Sequence, residues 1–341
     1  MERDFANLAR LGEYLEDNVK GFHCLTGAQK FADGQSNPTY LLTASSGQYV
    51  LRSQPLGELL KSAHAVDREY RVLGALSSSK VPTAQAYHLC QDTSVIGSMF
   101  YVMSYESGRI FWDPALPELT KHERAGIYDE MNSVLAKLHD VDFDALGLGD
   151  FGRAGNYFER QISRWTRQYK ATETVPIPAM DQLINWLPKN LPTDDGKVSL
   201  IHGDYRLDNI IFDKSGTSAL AVLDWELSTL GHPYADLAYQ CMQLRLARDA
   251  AIPGLCDLDR AALGIPTEAD YVARYCERRG IPDIPDWDFY LAFSFFRLAA
   301  ILQGVLKRAK DGNASNSKAE VYGALAPDLA NLAIGLIEET P

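Results

Sequence analysis

Cysteine is scarce and its spacing suggests no pairing: five residues among 341, at Cys24, Cys90, Cys241, Cys256 and Cys276, with no C-x-x-C pair. This argues against a disulfide frame or a cysteine zinc site and leads us to expect free, buried thiols in a reducing compartment. Positive charge is in deficit as well. With 33 Lys and Arg against 45 Asp and Glu the formal net charge is −12, so a nucleic-acid partner, which would need its phosphates neutralised, is not expected. The opening stretch MERDFANLARLGEYLEDN lacks the basic start and apolar core of a signal peptide. The most apolar run, residues 290–306, is interrupted by Ser294, Arg297 and Gln303 and reads as too short to span a bilayer. No membrane partner and a cytoplasmic location are therefore expected. No repeat or low-complexity tract is evident, and 341 residues favour two lobes over one.

Against this background one stretch stands out, LIHGDYRLDNIIFDKSGTSALAVLDWELSTLGHPYADLAY at residues 200–239. A short apolar run ends at His202-Gly203-Asp204, a turn that presents Asp204. Five residues on stands Asn209, followed by a strand at 210–212, a turn at 213–216 and a return strand at 219–223 that brings Asp224 back beside Asn209. Two hard oxygen ligands on opposite hairpin strands suit Mg²⁺, which keeps further positions for water and phosphate oxygens. His202 is read as bonding the loop backbone and Asp236 as an acceptor that buttresses the loop. Taken by residues alone, an Asp at a turn is also an ordinary cap, and His-x-Asp also fits a metal-dependent phosphohydrolase.

The N-terminal part carries a helix at 8–19, short strands at 25–30, 39–45 and 48–52, and a helix at 67–76. Between the first two strands lies FADGQSNP, in which Gly34 permits close backbone approach and Gln35, Ser36 and Asn37 offer groups for phosphate oxygens. A simple hairpin turn fits these residues equally well. Helices dominate from residue 106: 116–141, 157–170, 287–308 and 325–338. In YFERQISRWTRQYK, Arg160, Arg164, Arg167 and Lys170 share one face, either a solvated stripe or a receiver for an anionic substrate tail such as a coenzyme A phosphate. Residues 250–266 are irregular and read as a mobile lip. The aromatics of the 287–308 helix read mainly as core, though Tyr290, Phe293 and Arg297 could line a substrate cleft.

H-G-D-x-x-x-x-N followed by an Asp at the end of the next strand is similar to the kinase catalytic loop and its metal-binding Asp. The Gly203 and D-W-E variants resemble the aminoglycoside phosphotransferase branch. GQSNPTY, YVLR, HGDYRLDN and VLDWELSTLGHP together resemble the subgroup of kinase-like domains associated with acyl-CoA dehydrogenases. The resemblance implies an α+β, protein kinase-like fold: a small β-rich N-lobe at 1–105 and a larger, mainly helical C-lobe at 106–341. It implies ATP and Mg²⁺ as cofactors, Asp204 as base or orienting group for the acceptor hydroxyl, and Asn209 and Asp224 as metal ligands. Arg52 stands where the phosphate-pairing Lys would be, Glu69 where the helix offers that cation a partner, and the base would lie against Met103 to Tyr105. The implied activity is a small-molecule kinase acting on a hydroxyl, possibly of a hydroxy acid or hydroxyacyl-CoA, with a functional link to an acyl-CoA dehydrogenase. Aminoglycoside phosphorylation and non-catalytic nucleotide binding are the alternatives.

Overall fold

The computed structural model describes residues 8–31, 37–56, 65–312 and 318–339. The chain begins with helix α1 (Leu8–Asn18), then β1 (Leu25–Lys30), β2 (Thr39–Ala44) and β3 (Gly47–Ser53), helix α2 (Val66–Leu76), and strands β4 (Ala86–Cys90) and β5 (Phe100–Ser104). All five strands form one antiparallel sheet in the order β1-β2-β3-β5-β4. The period-two rule divides its faces. Leu11, Leu15, Val19 and Phe22 cover one face, against Tyr40, Leu42, Leu51, Phe100 and Val102. Val50, Tyr101 and Met103 point the other way, into the core shared with Val72, Leu73 and Leu76 of α2. Because Arg52 alternates with Leu51 and pairs in register with Tyr101, it emerges on the α2 side.

The second lobe starts with α3 (Lys121–His139). This helix begins later than its apolar periodicity suggests. Leu116 has φ +50°, Pro117 follows, and Thr120 with Glu123 forms a capping box that sets the first turn. Next come α4 (Tyr157–Thr172), α5 (Pro178–Trp186), β6 (Ser199–Ile201), β7 (Ile210–Phe212), β8 (Ala219–Val222), β9 (Thr229–Gly231) and α6 (Tyr234–Met242). The chain closes with α7 (Arg260–Leu263), α8 (Glu268–Arg279), α9 (Trp287–Lys310), α10 (Ala319–Gly323) and α11 (Ala326–Glu339). Strand β6 pairs with β9 and β7 with β8. Helix α9 is packed among α4, α6, α10 and α11. Its 24 residues are enough, by length and apolarity, to cross a bilayer, which corrects the reading of that stretch as too short. The apolar character serves the core instead, since 83% of its most apolar window is buried.

Contacts tie the lobes to each other and to the β7–β8 hairpin. Thr83 bridges to Val222 of β8, and the Val222 amide donates to the Pro82 carbonyl at 2.9 Å. Arg109 bonds the carbonyls of Asp213 at 2.9 Å and Gly216 at 2.6 Å, clasping the β7–β8 turn. From α2, Arg68 donates to the Phe151 carbonyl at 2.7 Å and lies over the Phe151 ring, while Arg71 pairs with Asp150. Segment 246–257 is tied rather than open. The amides of Gly254 and Cys256 donate to Ala247 and Leu246, and Arg248 forks onto Asp113. A Cβ at Gly254 would lie 2.0 Å from the Leu246 carbonyl oxygen, so only glycine permits that closure. All five cysteines are free, but Cys24 and Cys256 are exposed, contrary to the expectation of buried thiols.

Candidate active site

The cleft between the sheet and the β7–β8 hairpin is organised by one cation. Arg52 Nε lies 2.8 Å from Glu69 Oε2, Nη2 lies 2.5 Å from Asp224 Oδ1, and Glu226 is 3.7 Å away. Burial works against the guanidinium charge, but Glu69 and Asp224 outweigh it and keep Arg52 charged. Burial pushes Glu69 up, opposed by Arg52 and by hydrogen bonds from Tyr101 and Asn37. Asn37 donates to Glu69 Oε1 at 2.7 Å and is 1% exposed. Its side chain therefore braces the ion pair in this structure, where sequence reasoning expected a phosphate contact. Met103 is buried in the core cluster and Tyr105 is half-buried beside it. Gly34, Gln35 and Ser36 lie outside the described residues.

The catalytic loop hangs from α6. Asp236, 1% exposed, accepts the amides of His202 at 2.6 Å and Gly203 at 2.8 Å. Behind it, His139 Nε2 is 3.3 Å from Asp236 Oδ2 and His139 Nδ1 is 2.7 Å from the Tyr275 hydroxyl. Burial holds His139 below its ordinary range, so Nε2–H donates to Asp236 and Nδ1 accepts from Tyr275. His202 bonds the loop backbone, as expected. Its Nε2 donates to the Leu223 carbonyl at 2.7 Å and its Nδ1 accepts the Asp204 amide at 3.2 Å, and these partners fix one neutral tautomer. Gly203 has φ +84°, and a Cβ there would lie 2.7 Å from the Leu227 carbonyl oxygen, so the G of H-G-D is a packing requirement.

Asp204 is half-buried and well supplied with donors. Asn209 Nδ2 donates to its backbone carbonyl at 2.9 Å and to Oδ2 at 3.1 Å. Arg206 Nε stands 3.7 Å from Oδ1, and Arg206 pairs with Asp208 at 2.6 Å. The Tyr239 ring lies close by, under the Arg297 guanidinium at 5.1 Å. Burial alone would raise Asp204, but Arg206, the nearby Tyr239 hydroxyl and Arg297 together hold it below the usual carboxylate range. Strand pairing continues past β8 as the Leu223 amide donates to the Asn209 carbonyl at 2.8 Å, which returns Asp224 to Asn209. Asp224 has φ +62°, a conformation that costs a non-glycine residue about 1 kcal/mol or more and is held here by its surroundings.

These residues fit a magnesium ion. Because the Asn209 amide nitrogen is spent on Asp204, its oxygen is left as a hard donor near the Asp224 carboxylate. Among the described residues no group of three or more His, Cys, Asp or Glu is arranged to hold a metal. An Asn-plus-Asp site that leaves the remaining positions to phosphate oxygens is compatible with that.

The proposed substrate residues separate. Arg160 binds the carbonyls of Arg153 and Gly155, bracing its own N-terminal loop. Arg164 is exposed and lies over Trp165. Lys170 pairs with Asp181 at 2.6 Å. Tyr290 stacks on His232 at 5.7 Å between centroids. It lines a cavity of about 220 Å³ with Tyr157, Phe158, Pro192 and His232, and that lining includes none of Arg52, Asp204, Asn209 or Asp224. Arg297 is 5% exposed and donates to the Gly203 carbonyl, so it meets the catalytic loop from beneath. Sequence reasoning missed Tyr239 and Arg206. The charge of Arg206 inside the loop was a usable signal, whereas Tyr239 carried none.

Fold and site together define a kinase-like phosphotransferase. The phosphotransferase enzyme family model matches residues 27–291, and the chain belongs to that family. It is 50% identical over 305 residues to mouse acyl-CoA dehydrogenase family member 10, covering 89% of this chain and 28% of that protein; the chain thus spans under a third of that relative's length. The solved structure of a Ralstonia eutropha protein, provisionally described as an aminoglycoside phosphotransferase, matches with TM-score 0.89 and 48% identity over 97% of this chain and 98% of that one. Aminoglycoside phosphotransferase APH(4)-Ia, solved with ADP and hygromycin B, shares the fold with TM-score 0.62 at 14% identity, over 95% of this chain and 98% of that one.

Proposed function

We propose that this chain transfers the γ-phosphoryl group of ATP, with Mg²⁺, to a hydroxyl of a small molecule, either a hydroxy acid or a hydroxyacyl-CoA. The observation that carries the reading is the Asp204 carboxylate, bonded by the Asn209 amide nitrogen at 3.1 Å and held below the usual carboxylate range, in one cleft wall with Asp224, which Arg52 holds at 2.5 Å. The ADP complex of the APH(4)-Ia relative supports a nucleotide in the corresponding cleft. When bound, Mg²⁺ would neutralise charge on the transferring phosphoryl group, held by Asn209 and Asp224. Arg52 and Glu69 set a cation beside the phosphates, and Asp204 orients the acceptor hydroxyl and takes its proton.

Two observations bear on the acceptor. Arg206 stands 3.7 Å from Asp204, and Arg297 holds the adjacent carbonyl; cations so placed disfavour a polycationic acceptor and suit an oxygen-rich or anionic one. The relatedness to an acyl-CoA dehydrogenase family member supports an acyl-bearing acceptor and a functional link to such a dehydrogenase. The rival, an aminoglycoside acceptor, rests on the description of the Ralstonia relative. A cytoplasmic location goes with the free thiols. The test is γ-labelled ATP with Mg²⁺ over hydroxyacyl-CoAs, hydroxy acids, sugars and aminoglycosides, beside Asp204→Asn. Label should enter an acyl or hydroxy-acid acceptor and fall on the order of 10²- to 10⁴-fold in the variant. Full turnover by the variant would remove Asp204 from the chemistry, and label in an aminoglycoside alone would select the rival.

A further inference from the structure

The cavity of about 220 Å³ lies at the end of the β6–β9 ribbon remote from the catalytic loop. Val198, just before β6, and His232, just after β9, both line it, whereas the loop follows Ile201 at the other end. One wall is aromatic. The rings of Phe158, His232 and Tyr290 touch pairwise, with centroids 5.1 Å apart for Phe158 and Tyr290, 5.3 Å for Phe158 and His232, and 5.7 Å for His232 and Tyr290. Another wall is the opening of the 16-residue helix α4. Its N-cap, Asn156, has φ +47° and makes no side-chain cap, so the first amides of the helix are left for another partner. Lys197 at the lining adds positive charge.

Tyr290 is the independent sign of a ligand. Its side chain is 4% exposed and lines the cavity, yet its phenol makes no hydrogen bond among the described residues, and a buried hydroxyl ordinarily has one. The carboxylates nearby are already engaged. Asp194 takes the Gly196 amide at 3.0 Å, and Asp195 takes the Lys197 amide at 3.0 Å and His232 Nε2 at 3.2 Å. Glu159 is exposed to solvent. Unspent donors, spent carboxylates and an aromatic wall call for a ligand with a ring and acceptor oxygens, and the positive end of α4 favours a negative charge on them. An apolar cavity of about 150 Å³ takes up benzene, so this volume suits one ring with a carboxylate. We propose that the cavity is a ligand site for a small aromatic carboxylate, apart from the phosphoryl-transfer cleft: the ring lies against Phe158 and His232, and the carboxylate faces the Tyr290 hydroxyl and the opening of α4. The site shares no group with the nucleotide or metal, but it adjoins the supports of the catalytic loop. His232 leads into α6, whose Asp236 holds that loop, and Tyr290 stands about two turns before Arg297 on α9.

Calorimetry on the full chain tests this with benzoate as the probe. Benzyltrimethylammonium, a ring of opposite charge, and acetate, a carboxylate without a ring, are the comparisons. We expect one benzoate per chain with a Kd of about 1 mM or tighter, acetate weaker by about 10-fold or more, and no heat from the cation. Tyr290→Phe removes only the hydroxyl. It should weaken benzoate about 10-fold or more, as for a lost bond to a charged group, and it should leave the thermal midpoint in place because the hydroxyl has no partner to lose in the empty cavity. Benzoate affinity should be the same with Mg²⁺ and a non-hydrolysable ATP analogue present, and the same in Asp204→Asn, so failure of the phosphotransfer reading would leave it intact. Absence of benzoate binding at about 10 mM, equal affinity in Tyr290→Phe, or displacement by the nucleotide analogue would each overturn the proposal. Tighter binding of the cation than of benzoate would overturn the carboxylate assignment.

Discussion

Replacing Asp236 by Asn tests the support of the catalytic loop with minimal change in shape. Asp236 is 1% exposed and accepts three hydrogen bonds, from the His202 amide, the Gly203 amide and His139 Nε2. An amide keeps one acceptor oxygen and puts an NH₂ where the other stood. The less costly orientation keeps the oxygen at the Oδ2 position, where His202 and His139 bond, and sets the NH₂ against the Gly203 N–H, orphaning one buried donor at a cost of about 1–3 kcal/mol. The two bonds that survive become neutral and together lose roughly 1 kcal/mol more. The sum, about 2–4 kcal/mol, is a large share of the roughly 5–15 kcal/mol that stabilises a folded domain, yet the variant should still fold. Urea unfolding measures the loss, and hydrogen exchange at the His202 and Gly203 amides locates it. A change below about 0.5 kcal/mol, within the range of ordinary surface substitutions, with both amides still protected, would refute the claim that Asp236 carries the loop.

Two further outcomes are expected. Arg52→Lys keeps the charge, but a single ammonium cannot span Glu69 and Asp224 as the fork does. The ligand-free protein should lose about 1–2 kcal/mol, a modest figure because Asp224 is a third exposed and partly screened, and an unchanged urea midpoint would contradict it. Burial holds His139 and His232 neutral in the fold, below the ordinary value of 6.5. The unfolded chain therefore takes up protons first as pH falls, so their contribution is intact above about pH 6.5 and declines below it by up to about 1.4 kcal/mol per pH unit for each. Unfolding free energies that stay flat from pH 7 to 5 would rule this out.

What was legible in the chain followed local grammar. The β7–β8 hairpin was readable because three apolar residues, a turn rich in Asp, Ser and Gly, and a second apolar run can only fold back. His-Gly-Asp was readable as a presented turn, and Asp236 as its support. The remainder depended on groups brought together from afar. Asn37 meets Glu69 across 32 positions and Arg52 meets Asp224 across 172, and no spacing rule anticipates either. Tyr239 sits in an ordinary apolar helix, and only the packing of α6 against α9 brings it under the Arg297 guanidinium. Arg297 looked like a cleft residue because a charge in an apolar helix wants a partner; its partner is the backbone of Gly203. The late start of α3 was written in Pro117 and Thr120, but apolar periodicity across 116–141 masked it.

Helix α2 is riveted at Arg68 and Arg71 to Phe151 and Asp150, and it carries Glu69, the partner of the cleft cation. A part fastened at its outer face makes a poor lever. An effector that sought to swing Glu69 away would have to pull two arginines off the opposite lobe, so there is little room for a dimmer on this helix.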